Sequence, residues 1–179
     1  MPFSHLALAT RDLPATHRFY SEVLGLDLVH VDVGDLPTGG WFRHAFYDAG
    51  AGELLAFFDL HDDEIAEYDT AISTGLGLPS WVNHVALQAE SLGDLEARKE
   101  RLLAHGHDCV VADHGVVVSL YVEDPNGITI EFSHVVEDLF TADNRRRAAT
   151  LIHERRPAST GVEPAMEFFS AADLSSARL

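Results

Sequence analysis

Residues 3–28, FSHLALATRDLPATHRFYSEVLGLDL, and residues 82–109, VNHVALQAESLGDLEARKERLLAHGHDC, share one plan. Each opens with a short alternating run, HLAL or HVAL, and passes through a polar turn. A helical pattern comes next and ends at a glycine, Gly25 or Gly106. Glycine just past a helix C-terminus accepts the left-handed backbone that stops the helix. The leading histidines, His5 and His84, lie 84 − 5 = 79 residues apart. Repetition at this spacing predicts two equivalent units, each burying one face of a small sheet under its own helix and leaving the other face open.

The segments after the two helices also correspond. LVHVDV, GWFRHAFYDA and ELLAFFDL in the first half match CVVADHG, VVVSLYVED and ITIEFSHV in the second, with turns at Asp113 to Gly115 and at Asp124-Pro125-Asn126-Gly127. The expected fold is α+β: two tandem β-α-β-β-β modules, about 1–62 and 80–135, forming a curved mixed sheet around a metal-binding cavity. Residues 136–179 make a C-terminal helical extension to this 1–135 domain. Strand alternation sorts the side chains. Leu6 and Leu8, or Val85 and Leu87, face the helix, whereas His5 and His84 face the open side. In ITIEFS, Ile128, Ile130 and Phe132 fall on the packed face, and Thr129, Glu131 and Ser133 on the open one.

The chemistry these positions allow is narrowed by composition. A formal net charge of −17, with only twelve Lys and Arg among 179 residues, sets up a field that repels phosphate backbones and anionic lipid, so neither nucleic acid nor membrane is an expected partner. No apolar run reaches the roughly 20 residues a bilayer requires, and the opening MPFSHLALATRDLP lacks the basic and apolar parts of a signal peptide, which gives a cytoplasmic expectation. The single cysteine, Cys109, has no second thiol for a disulfide or a CxxC pair and reads as a small buried strand residue. Eleven histidines remain as candidate ligands and proton carriers.

His5, His84 and Glu131 stand on equivalent faces of strands from the two halves. Two imidazoles and a carboxylate on one side of a metal leave the opposite positions open for substrate and a small molecule, an arrangement suited to Fe(II) and usable by Mn(II) or other divalent ions. A closed structural zinc site would call for four ligands, usually with cysteines, which this chain cannot supply. Glu131 sits on an otherwise apolar strand, where an unpaired carboxylate is costly to bury.

With these residues in place, the sequence resembles the vicinal oxygen chelate superfamily of glyoxalases, bleomycin- and fosfomycin-resistance proteins and extradiol dioxygenases, over about residues 3 to 135. The most specific segment is HGVVVSLYVEDPNGITIE, from His114 through Tyr121, Asp124, Pro125 and Gly127 to Glu131, which looks like the extradiol dioxygenase signature. The resemblance implies metal ligation by His5, His84 and Glu131 and contacts from His114 and Tyr121 to the bound diol or oxygen-derived species. It implies Fe(II) as the metal, with Mn(II) or another divalent ion as the alternative. Ala112 departs from the signature. The catalytic histidine that extradiol enzymes carry near the fourth strand of the first half is also missing; Glu53 is the nearest residue. A glyoxalase would carry a fourth ligand at the first-half position matching Glu131, where this chain has Ala56.

The expected activity is therefore an Fe(II)-dependent extradiol-type cleavage of a catechol-like aromatic diol by dioxygen, in a homo-oligomer. The alternatives are a non-oxidative metal-dependent transferase or isomerase of the same superfamily, and a metal-free protein that sequesters a small molecule. In the extension, DNRRRAATLIHERR reads as a helix beginning near Asp143 with Arg145, Arg146 and Arg147 on a solvated face. Phe168 and Phe169 predict that the end of the chain docks on the body or on a partner.

Overall fold

The computed structural model describes residues 3–159 and 163–176. Its strands form two sheets. The first contains β1 (His5–Thr10), β2 (Leu28–Asp35), β3 (Trp41–Gly50) and β4 (Glu53–His61) in the order β1-β4-β3-β2. The second contains β5 (His84–Gln88), β6 (Cys109–Asp113), β7 (Val117–Glu123), β8 (Thr129–Val135) and β9 (Ala165–Phe169) in the order β5-β8-β7-β6-β9. In both, the opening strand pairs parallel to the fourth strand of its module and the remaining pairs are antiparallel. The repeat in the sequence is thus a repeat of topology.

The helices obey their local signals. Helix α1 (Leu13–His17) begins at Asp12, whose carboxylate accepts the Ala15 amide at 2.8 Å, and widens into a π-helical turn over Arg18–Val23 before Gly25 (φ +81°) ends it. Helix α2 (Leu92–Ala104) begins at Ser91, whose hydroxyl accepts the Asp94 amide at 3.1 Å, and stops at Gly106 (φ +85°). In the extension, α3 (Ala142–Leu151) is capped by Thr141 and buries no residue, ending sooner than the arginine-rich sequence predicts; α4 (Ala171–Ser176) closes the described chain. The extension is not purely helical, because Ala165–Phe169 adds strand β9 to the second sheet. Among the described residues no helix is long and apolar enough to cross a membrane.

One buried cluster spans both modules. Phe19 and Tyr20 from the first helical segment, Tyr47, Leu55 and Phe57 from the first sheet, Leu95 and Leu102 from α2, and Ile130 and Phe132 from the second sheet all belong to it. The helices therefore lie between the sheets. The expected cavity, with the two open faces closed on each other within one chain, is not what forms. Here the helical faces meet, and His5 and His84 occupy the far sides of their sheets.

The joint between modules is the turn at Asp124. Its carboxylate accepts the amides of Asn126 and Ile128, each at 2.8 Å, and the Tyr20 hydroxyl at 2.9 Å. Asn126 in turn donates through Nδ2 to Thr16 Oγ1 at 3.2 Å, and its carbonyl accepts the Thr70 hydroxyl at 3.0 Å. Tyr20 is fully buried, and burial together with the Asp124 charge pushes its hydroxyl well above the usual range, so it stays a donor.

Candidate active site

The second sheet assembles most of the residues expected to act. Register places Ala86, Glu131, Tyr121, Val110 and Phe168 in one cross-strand row, with each side chain on the open face. His84 stands one pleat away on β5, and its Nε2 lies 2.8 Å from Glu131 Oε2. His84 Nδ1 lies 3.0 Å from the Trp81 carbonyl. A carbonyl can only accept, so Nδ1 carries a proton there and Nε2 is directed at the site.

Glu131 is buried and has a second partner, the Ser119 hydroxyl, which donates to Oε1 at 2.5 Å. Serine at 119 is two residues from Tyr121 and shares its face. Alternation along SLY identifies it, although no motif singles it out. Tyr121 lies beyond Glu131, its hydroxyl 3.3 Å from His114 Nε2. Burial raises the Tyr121 hydroxyl above its ordinary value; the Ser119 hydroxyl opposes this, and the Glu131 charge reinforces it. The phenol is consequently a proton donor across the neutral range.

His5 is elsewhere. It lies on the open face of the first sheet, its ring 6.2 Å from that of His44 and 5.8 Å from that of Phe46. His44, absent from the residues that the sequence pattern points to, is buried against Phe58 with ring centroids 3.6 Å apart, and its Nε2 has no hydrogen-bond partner among the described residues. Burial lowers its pKa, with the neighbouring His5 adding to the effect, so a neutral ring packs there. Sequence alone hides its position, because the polar and aromatic residues of WFRHAFYDA show no clean alternation until β3 is paired. Glu53 meets the Phe3 amide at 3.0 Å at the start of β4 and does not join either cluster.

The donor set for a metal is thus divided. His84 and Glu131 converge, and His5 presents a third imidazole on the opposite sheet. Among the described residues no three His, Cys, Asp or Glu side chains of a single chain converge on one point. At the place where a fourth ligand would be sought, register pairs Ala7 with Ala56, as it pairs Ala86 with Glu131, so the first sheet supplies no carboxylate at that position.

Over the second sheet's open face lies a cavity of about 840 Å³, bordered by Trp81, His84, His114, Tyr121, Met166 and Phe168. Its wall is mainly apolar. Its ionisable groups besides the histidines, Cys109 and Tyr121 are acidic, namely Asp108, Glu123 and Asp173, with no Lys or Arg among the described residues that border it.

The model of the glyoxalase/bleomycin resistance protein/dioxygenase superfamily matches residues 3–132. A probable lactoylglutathione lyase from Synechocystis sp. is 30% identical over 132 residues, which are 71% of this chain and 90% of that protein. Among solved structures, a glyoxylase/bleomycin resistance protein/dioxygenase domain from Frankia sp. EAN1pec has a TM-score of 0.55 at 24% identity, covering 75% of this chain and 98% of the other. TnmS3, an antibiotic binding protein from Streptomyces sp. CB03234, has a TM-score of 0.51 at 17% identity, covering 75% and 96%. At these identities the two structures share the fold with this chain.

Proposed function

Because the chain belongs to the glyoxalase/bleomycin resistance protein/dioxygenase superfamily, we propose that it is an extradiol-type dioxygenase opening a catechol-like ring at a divalent metal, Fe(II) foremost and Mn(II) second. The metal would be held by His84 and Glu131 of one copy and His5 of a second copy in a homo-oligomer. The observation that carries this reading is the row in which Glu131, flanked by His84, shares one sheet face with the Tyr121–His114 pair while the equivalent first-sheet position is Ala56. Three protein ligands leave room for a chelating diol; a fourth carboxylate would take part of it.

Each side chain has work suited to its surroundings. Ser119 holds one Glu131 oxygen and leaves the other directed at the site. The Trp81 carbonyl fixes the ring of His84. Tyr121, kept protonated by burial, donates a hydrogen bond to negative charge as it grows on a substrate oxygen, and His114 at 3.3 Å can take or return that proton through Nε2. A bound metal would supply coordination of both diol oxygens and of dioxygen. The apolar wall shelters the ring, and the acidic border favours neutral diols over anions.

A glyoxalase-like isomerase is the second reading, favoured by the 30% identity to the probable lactoylglutathione lyase. Against it stand Ala56 and the lack of a Lys or Arg among the described cavity residues to meet an anionic glutathione conjugate. The test is oxygen-electrode measurement on protein loaded anaerobically with one Fe(II) per site and offered a panel of substituted catechols. Uptake of dioxygen matched to catechol consumed is the expected result. Full metal occupancy with no uptake from any catechol would sink the dioxygenase, and turnover of the methylglyoxal–glutathione hemithioacetal in that same sample would install the isomerase.

A further inference from the structure

Strand β9 lies outside the residues shared with the superfamily, which end at 132, yet it is built into the sheet. It pairs antiparallel with β6 along five residues, Ala165 to Phe169 against Asp113 to Cys109. On the helix side Phe169 packs against the core, and Lys99 Nζ sits 4.3 Å from its ring centroid. Just beyond, the Asp108 carboxylate accepts the Ser170 hydroxyl at 3.0 Å and the Ala171 amide at 2.7 Å. The strand is clamped at its C-terminal end.

Alternation then decides what this clamped strand offers the cavity. With Phe169 and Glu167 toward the helices, Met166 and Phe168 stand on the open face. Phe168 closes the row that begins at Glu131 and Tyr121, and Met166 stands beside Ala112 in the next row with Ser119. Both border the 840 Å³ cavity, and they are 53% and 76% exposed, so two large apolar groups are held by the sheet without cover from the described residues. Three interstrand steps separate Glu131 from Phe168, roughly 14 Å. A single catechol ring seated at the Glu131 end covers less than half of this row.

We propose that β9 is the distal wall of the ligand cavity, and that Met166 and Phe168 select ligands carrying a second apolar ring beyond the ring that reaches His84 and Glu131. The inference rests on the diol reading for the identity of the reacting ring, whereas the wall itself does not. Aryl-substituted diols meet both ends of the row: oxygens at the Glu131 end, and an aromatic face against a thioether and a phenyl ring at the other. The cavity's size lies toward the upper end of the roughly 300–1,000 Å³ range of sites for such molecules.

The test separates the wall from the chemistry by using two matched pairs of ligands on the full-length protein in calorimetric titration. One pair is catechol and 3-phenylcatechol with the metal-loaded protein; the other is phenol and 4-hydroxybiphenyl, which lack the vicinal diol, with metal-free protein. In each pair the biaryl is expected to bind at least about tenfold more tightly. The Met166→Ala/Phe168→Ala double variant should reduce both ratios to within about twofold, and Met166→Leu/Phe168→Leu should restore them, which separates lost wall from lost folding. A ratio near one in the unaltered protein, or one that survives the alanine variant, overturns the proposal. So does an alanine variant that shifts only the oligomeric state in sedimentation, since that outcome assigns Met166 and Phe168 to a subunit contact. Retention of the monophenol ratio without oxygen uptake from any diol would leave the wall standing and remove the dioxygenase reading.

Discussion

Glu131 shows how much of an acidic ligand's behaviour is set by its neighbours: one oxygen is engaged by Ser119 and the other faces His84, so neither is free to rotate into the apolar strand around it. Tyr121 is held in the next position along the row with its proton kept by burial. If that proton is what the reaction uses, Tyr121→Phe should lower kcat about 10²-fold while the metal content and the protein's stability remain near those of the parent, because the ring and its packing are unchanged. Steady-state oxygen uptake with iron quantified in the same samples checks this. An unaltered kcat would mean that the phenol is a packing group. Alternation places Glu131 and Tyr121 on one face from sequence alone, since strands with Ile130, Phe132, Leu120 and Val122 on their buried sides leave no other choice. Ser119 is equally legible. His44 is not, because its surroundings, Phe46 beside it and Phe58 across from it, exist only once β3 and β4 have paired.

Among the elements, the turn Asp124-Pro125-Asn126-Gly127 has a role that its sequence disguises. The turn chemistry is plain, with an Asx residue receiving amides and a glycine at φ +72°. Local sequence does not reveal that the same carboxylate receives Tyr20 from the other module, 104 residues away, and so bolts the modules together. Tyr20→Phe leaves a buried carboxylate oxygen short of one donor, so it should destabilise the fold by about 1–3 kcal/mol in urea unfolding without changing the m-value. A cost near zero would show that Asn126, which donates to the same oxygen at 2.9 Å, is sufficient. Strand β9 is harder still to see. Its five residues are too few for alternation to speak against the helical pattern upstream, and of the two phenylalanines expected to dock, Phe169 packs against the core whereas Phe168 stays exposed.

For the molecule as a whole, the repeat defines the two modules but not which faces they turn to each other. Both faces of each sheet carry aromatic and aliphatic side chains, so pattern alone cannot say whether the helical or the histidine faces meet. The helical faces do, and His5 is left on one side of the chain with His84 and Glu131 on the other. A site completed by a second copy makes a numerical prediction. His5→Ala and Glu131→Gln should each lose metal when prepared alone. Mixed in equal amounts and allowed to exchange, half of the dimers carry one intact site, so metal content and activity should return to about a quarter of the parental value. No recovery in the mixture, measured by iron analysis beside sedimentation that confirms exchange, would show that the three ligands are not shared between copies.

The position of β9 carries one more consequence. By giving its backbone to β6, it covers that strand's free amides and carbonyls and moves the sheet's edge onto β9 itself, a strand of only five residues, too short to be a good template for other chains. Among the described residues the first sheet has no such cover at β2, where Val29, Val31 and Val33 are exposed; there His30, Asp32 and Asp35 put charge and polarity along the edge instead. These two margins are thus guarded differently, one by ending in a short strand drawn from the chain's own tail and the other by making close approach of a second acidic edge unfavourable.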